Sequence, residues 1–498
     1  MANDLHIKQT FGEWLQYHFL EKKLNTVFGW LFLSILGLIM LYLTVLVDYR
    51  IGPAVVVSFG FILILILILK YPFFGFYFLI FFASVTTTID RLVNLPLASG
   101  VFVDVLLYFE LISVISKYRL KKNIDHRFWS NPISIGLIVL FAYYLIELFN
   151  PSMLSPLGWL SFIRKQVSYL VFFCICYCLL DTRARIIYFV RFMIGLSTLL
   201  ALYACKQQWF GYAGFELRAI GTGSGLSLLL QGGLLRKFSV FSDPATSGIL
   251  FAAISMICVI LFIRTDKRKE RIWLAVAAIP NLLAYSYSGT RTATMMIIVG
   301  ITLYCLSTLN ERRTIHFLGF SITIFAFLYL LPYQNPITSR IRSTFEGTRD
   351  ESAALRDYNR HQVQPYIQDH PIGGGIYTCG FEGPKYNEGH YLEFLQPDSG
   401  YMKTLAEQGA VGLALLLIFY FVLMRYGFYY FFRVKDPEIR NYYIALLIMI
   451  FTLIVAQYAQ MAITQSPVIL FFYAILVIFI KLADFDTKPH PIKITFQN

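Results

Sequence analysis

The side chains best equipped for chemistry crowd into one stretch, 332–398, the only long polar segment of this 498-residue chain. It carries Arg340, Arg342, Arg349, Arg356 and Arg360, then His361, His370 and His390, then Glu388, Glu393 and Asp398. Arginines recognise phosphate oxygens, and a histidine or carboxylate can take a proton. A helix is expected from Asp350 or Ser352 to about Gln364, which puts Arg356 and Arg360, four residues apart, on one face. A solvated amphipathic helix would show the same spacing. Asp369-His370-Pro371 and the following Ile372-Gly373-Gly374-Gly375 read as a helix stop and a tight turn. A loop this long is usually functional or disordered. Its Tyr, Phe, Ile and Leu residues favour an ordered lid.

Two further arginines stand beside expected helix starts. Arg236 precedes Phe238-Ser239-Val240-Phe241-Ser242-Asp243-Pro244, where Asp243 suits an N-cap and Pro244 a first helical residue. Arg291 lies just before a helix expected from Thr292. A helix N-terminus with an arginine beside it attracts anions. Interfacial snorkelling or lipid-headgroup binding would place arginines in the same positions.

The elements that must hold these residues are membrane spans. Only 14% of the chain is charged and 57% is hydrophobic, against about 25% charged for a soluble protein. Uncharged apolar runs of spanning length recur from end to end. The expected fold is an all-α polytopic membrane protein with about 14 transmembrane helices and one large outward-facing loop. The expected spans are 26–47, 53–69, 72–88, 98–116, 132–149, 166–180, 186–207, 244–263, 273–288, 292–309, 315–331, 400–424, 442–463 and 467–481. This divides the chain into an N-terminal segment 1–25, a membrane domain 26–331, the large loop 332–399, three last helices 400–481 and a tail 482–498. No signal peptide is read in the polar N-terminal segment.

Orientation follows from lysine and arginine. Outside the large loop with Lys403 beside it, and leaving Arg191 and Lys206 near helix ends, one side holds 25 of them and the other 8. The rich side is expected to be cytoplasmic, so both termini are cytoplasmic and the large loop is periplasmic. The net charge of +13 is then a matter of membrane orientation, and no nucleic-acid partner is expected. Six of the seven cysteines fall in apolar spans and Cys379 has no partner cysteine in its loop, which excludes a disulfide framework. Glu110 and Glu147 fall within apolar spans, with Asp104 nearer an outer end. They serve either a proton path or buried donors. Asp484-Phe485-Asp486 has the form of a metal–nucleotide motif but falls in the cytoplasmic tail, where chance explains it. No P-loop, dinucleotide fingerprint or HExxH motif occurs, and no cofactor or metal is expected.

Three segments resemble the bacterial O-antigen ligase and O-antigen polymerase superfamily. They are Arg236–Pro244, Ser286-Tyr287-Ser288-Gly289-Thr290-Arg291-Thr292, and the longer run from Arg356 through His370-Pro371-Ile372-Gly373-Gly374-Gly375 to Glu407-Gln408-Gly409-Ala410-Val411-Gly412-Leu413. The resemblance covers about 236–413. It implies an enzyme of the bacterial cytoplasmic membrane that moves a glycan from a polyprenyl-diphosphate carrier to a saccharide or lipid acceptor, among membrane lipids and without a metal. On that basis Arg236, Arg291, Arg356 and Arg360 would hold the diphosphate. Many ligases place a histidine just before the last motif; here Asp398 stands there and His390 lies eight residues upstream. This departure tilts the reading toward a polymerase, with Asp398 as base and His390 second. An N-cap is the competing role for Asp398. Transfer to lipid A core or protein by a ligase is the alternative within the same chemistry. A lipid-linked glycan flippase is the alternative from another class, but its polar residues would lie within broken helices at midplane.

Overall fold

The computed structural model describes residues 25–42, 44–45, 51–93, 100–118, 126–221, 229–231, 234–330 and 351–486. Apart from a two-residue antiparallel ladder pairing Leu230–Gln231 with Leu234–Leu235, its regular structure is helical. Each expected span overlaps a helix among the described residues. Eight of these helices are long and apolar enough to cross a membrane: those beginning at Pro72, Pro132, Pro156, Arg183, Pro244, Gly400, Pro437 and Val468.

The chain forms two compact units, 1–71 and 72–498. In the first, the Val27–Tyr42 and Ile51–Lys70 helices pack together. In the second, the Pro244–Arg264 helix sits at the centre. It packs against Arg183–Trp209, Arg268–Ser288, Arg291–Ser307 and Pro437–Ala456. Its sequence is apolar all round, and a helix of that kind belongs in an interior. The Pro437–Ala456 helix also packs on Gly400–Arg433, which in turn packs on Pro132–Ile146. Val468–Leu482, almost wholly buried, packs on Pro156–Leu179.

Several span boundaries differ from the sequence reading: the expected 442–463 span runs Pro437–Ala456, and two others differ by more. The helix expected from 166 begins at Pro156, where the Ser155 hydroxyl accepts from Leu157 N. Arg164 and Lys165 had read as loop residues because they are charged. They lie on the helix, with Arg164 paired to Asp104 at 3.3 Å and Lys165 donating to the Tyr377 hydroxyl at 2.9 Å. The Gly400–Arg433 helix extends nine residues past the expected end at 424, and it is broken at Gly409.

Several described arginines that the lysine and arginine count puts on one side share carboxylate partners. Arg264 forks onto Glu311 with two bonds of 3.0 Å, and Arg440 reaches the same carboxylate at 3.3 Å. Arg183 pairs with Asp436 and Glu438, and Arg313 with Asp266. The 484–486 motif has a structural role here: the Asp486 carboxylate accepts from Lys435 N and Asp436 N. Glu110 is fully buried, and neither of its oxygens meets a hydrogen-bond partner among the described residues.

Candidate functional site

The first two motif segments fold against each other. Asp243 caps the Pro244–Arg264 helix, its carboxylate accepting from Thr246 N at 2.8 Å, and Pro244 is the first helical residue. The Arg268–Ser288 helix ends at Gly289, whose left-handed φ of 60° turns the chain sharply. The Arg291–Ser307 helix then starts at Arg291 itself, one residue earlier than expected. Arg236 bridges the two segments. Its Nε donates to Ser288 O at 2.9 Å and its Nη2 to Thr290 Oγ1 at 3.0 Å. Thr290 Oγ1 donates onward to Pro244 O at 2.9 Å, and Lys237 N donates to Tyr287 O at 3.0 Å. A Cβ on Gly248 would come within 2.4 Å of Ser288 Oγ, so the approach of the two helices depends on that glycine.

A third arginine joins this junction from a distant helix. Arg91, in the last turn of Pro72–Val93, donates to Ser242 O at 2.8 Å and lies 4.3 Å from the Phe238 ring centroid. Phe238 stacks on Tyr212 at 5.3 Å, and Lys237 Nζ lies 4.6 Å from the Tyr212 centroid. Burial lowers the Lys237 pKa and raises that of Tyr212. Positive charge from Arg91, Arg236, Lys237 and Arg291 thus gathers around two helix N-termini. Sequence spacing gives no sign of this role for Arg91, because Ser242 lies 151 residues along the chain.

The third motif forms a second junction. The Glu351–Asp369 helix runs past the expected Gln364 to Asp369, and the His370–Gly375 turn follows. That turn docks into the break at Gly409, where φ is 66° and ψ −167°. Ala410 N donates to Pro371 O at 2.9 Å, Gly374 N to Ala406 O at 2.9 Å and Gly375 N to Glu407 O at 2.8 Å. The fit admits no side chain: a Cβ on Gly409 would lie 2.1 Å from Pro371 O, and one on Gly373 would lie 2.4 Å from Gly409 N. The glycine spacing of the motif is therefore a demand of close backbone approach. Asn150 supports the turn from the side, donating to Glu147 Oε2 at 3.0 Å and to Ile372 O at 3.1 Å. Glu147 accordingly satisfies a buried donor at the end of its helix.

Beneath the turn lies a buried polar group. Lys403 Nζ stands 3.2 Å from Glu382 and 3.8 Å from Glu407. Cys379 Sγ donates to Glu407 Oε1 at 3.4 Å, and burial beside that carboxylate holds its thiol well above the usual range. Both Lys165 and Lys403 lie over the Tyr377 ring. Burial raises the Tyr377 hydroxyl pKa.

The two expected bases sit differently. His390 is buried; its Nδ1 accepts from Leu392 N at 3.0 Å and its Nε2 lies 3.4 Å from the Tyr366 hydroxyl. Desolvation, with His370 nearby, lowers its pKa, and a neutral ring whose Nδ1 accepts from Leu392 N carries its proton on Nε2. Asp398 is exposed, and the helix cap is Ser399, whose hydroxyl accepts from Met402 N at 3.3 Å. This removes the N-cap as the competing role of Asp398. Arg360 lies 4.8 Å from the Tyr458 ring centroid. It lines a groove of about 510 Å³ with Val363, Ile367, Met402, Leu405 and Tyr458. Arg356 falls in the Glu351–Asp369 helix, but its side chain lies outside the described residues, as do Arg340, Arg342 and Arg349 altogether.

The Pro437–Ala456 helix connects the two junctions. It packs on Pro244–Arg264 and Arg291–Ser307 on one side and on Gly400–Arg433 on the other. Past its end, Gln457 O accepts from Gly400 N at 2.9 Å and from the Ser399 hydroxyl at 3.1 Å. The same bundle end thus presents arginines at helix N-termini, able to bind an anionic group, and an exposed carboxylate able to take a proton.

Residues 276–417 match a family model described as O-antigen ligase. The match takes in the Ser286–Thr292 turn, the docked glycine turn and the break at Gly409, while Arg236 lies before it. A search of curated proteins returns no match. The match to residues 276–417, which hold the second and third motif segments, supports the resemblance of this part of the chain to the O-antigen ligase and polymerase superfamily.

Proposed function

We propose that this protein is a polymerase-type glycan transferase. It moves an oligosaccharide repeat from a polyprenyl-diphosphate carrier to a hydroxyl of an acceptor glycan, outside the bacterial cytoplasmic membrane. The observation that carries the reading is the Arg236 bridge to Ser288 and Thr290, which sets an arginine beside the N-termini of two helices. In the reaction the acceptor oxygen bonds to the anomeric carbon as the bond from that carbon to the diphosphate oxygen breaks. The electron pair leaves with the carrier diphosphate, where Arg236 and Arg291 would meet the developing charge. The acceptor proton passes to a base. We assign that base to Asp398, because it is exposed while both ring nitrogens of His390 are engaged within the protein. Arg360, at the rim of its own groove, and Arg356 are assigned to the carrier more loosely. The leaving group is already a diphosphate, so the step calls for neither a nucleotide nor a metal.

The lysine and arginine asymmetry supports a periplasmic 332–399 loop with both termini cytoplasmic. Glycan analysis of a strain lacking the protein tests the function. Surface glycan reduced to single repeats is the expected result. Accumulation of full-length carrier-linked polymer would show a ligase instead, and an unchanged glycan profile would overturn both.

A further inference from the structure

Beyond the phosphate and proton chemistry, the outer loop holds an aromatic surface that neither role uses. Tyr366 stacks on His370 with ring centroids 4.2 Å apart and planes 10° from parallel. It stacks also on Tyr391 at 5.3 Å and 6°. The inner rings are fixed. His370 Nδ1 donates to Tyr366 O at 3.0 Å, the Tyr366 hydroxyl meets His390 Nε2, and Tyr366 packs on the small core of Val363, Cys379, Leu392 and Ala406. Tyr391 is the outer member. One of its faces is covered by Tyr366, yet the residue remains 67% exposed. A tyrosine fixed flat by its neighbours, with its other face bare, costs little entropy when a ligand binds.

We propose that the bare face of Tyr391 is a stacking platform for a pyranose ring of the acceptor glycan. This rests on the glycan-transferase reading and names how that site holds its second substrate. A pyranose presents a row of polarised C–H bonds on one face, which suits the electron-rich face of a tyrosine ring. Glu388 lies three residues before Tyr391 in the chain and Asp369 directly precedes His370, and both are exposed. Acidic side chains accept hydrogen bonds from sugar hydroxyls and are ill suited to an anionic lipid surface. Charge therefore selects a neutral polyhydroxylated ligand over membrane headgroups.

The test uses the full chain in nanodiscs, with the oligosaccharide released by mild acid from the producing strain's lipid-linked glycan as probe. Saturation-transfer NMR should show binding to the parent protein and to Tyr391→Phe and Tyr391→Trp. Tyr391→Ala should bind about tenfold more weakly, the equivalent of one aromatic contact. In transfer assays Tyr391→Ala should raise the acceptor KM by a similar factor and leave kcat near the parent value. A KM unchanged in Tyr391→Ala, with transfer intact, would overturn the platform and leave the transferase standing. Absence of transfer by the parent would refute the transferase, while the NMR comparison would still decide the platform. For the Tyr391→Trp variant, quenching of the indole by brominated phosphatidylglycerol in the disc would show that the ring sits among lipids, which also overturns the proposal.

Discussion

Replacing Gly409 by alanine perturbs the candidate site at its hinge. The residue has φ 66° and ψ −167°, a region open almost only to glycine. Forcing alanine there costs roughly 1–3 kcal/mol. The new Cβ would also stand 2.1 Å from Pro371 O and 2.5 Å from Gly373 N, overlaps that backbone atoms relieve only by moving apart. Overpacking of this kind adds roughly 1–3 kcal/mol. The strain falls on the three backbone hydrogen bonds from Ala410, Gly374 and Gly375 that dock the turn. The expected outcome is therefore local undocking with the bundle retained. Cys379, fully buried against Glu407, reports it. With the other six cysteines replaced by alanine, an impermeant maleimide added to spheroplasts should label Cys379 at least roughly tenfold faster in Gly409→Ala, since even the lower sum is about 2 kcal/mol. Such labelling without permeabilisation also tests the outward placement of the loop. Gly195→Ala is the control: a Cβ there meets nothing within 4 Å, and alanine favours a helix. Gly409→Ala with parental Cys379 protection and melting temperature would refute the docking argument.

Three further outcomes are expected. Arg236→Ala and Arg291→Ala should insert normally and form no product, with only partial rescue by lysine; full activity of both alanine variants would leave snorkelling as their role. Asp398→Asn should lose roughly 10²–10⁴-fold in transfer rate and His390→Ala should lose less, as measured with purified protein. Near-parental turnover of Asp398→Asn would remove it as the base. Transfer in excess EDTA should match that in buffer, and a loss restored by magnesium or manganese would establish a metal-dependent enzyme.

Much of the fold was readable because hydropathy alone marks helices in an apolar solvent. The Asp243-Pro244 start was equally plain, since a capping carboxylate and a proline at the first helical position leave a local signature. The misreadings share one cause: a side chain's role was set by a partner far away in sequence. Arg164 and Lys165 looked like loop residues until Asp104 and Tyr377 accounted for their charge. Gly409 looked like an ordinary glycine at the start of an apolar helix, because the turn that needs its space lies nearly forty residues upstream. Asp398 reads as a base with an N-cap as its competing role, and the cap falls to its neighbour Ser399, whose hydroxyl accepts from Met402 N. Its catalytic role remains a matter of chemistry that spacing does not encode.

The way each arginine is held bears on where an anion would land. At the end assigned to the cytoplasm, arginines meet carboxylates. Arg264 and Arg440 share Glu311, Arg183 meets Asp436 and Glu438, and Arg313 meets Asp266. Those pairs cancel charge where it is formed. At the opposite end Arg164 pairs with Asp104, Arg236 donates to Ser288 O and Thr290 Oγ1, and Arg91, with Glu216 and Asp243 acting on it, donates to Ser242 O and lies over Phe238. Such contacts fix the direction in which a guanidinium points. The geometry also explains why lysine should be a poor substitute at position 236. An ammonium would carry the charge, but it could not reach Ser288 O through Nε while reaching Thr290 through Nη2. The junction between the two motif segments would then loosen even though the field at the site persisted. Partial rescue by lysine would accordingly separate the two jobs of Arg236, holding the turn and presenting positive charge.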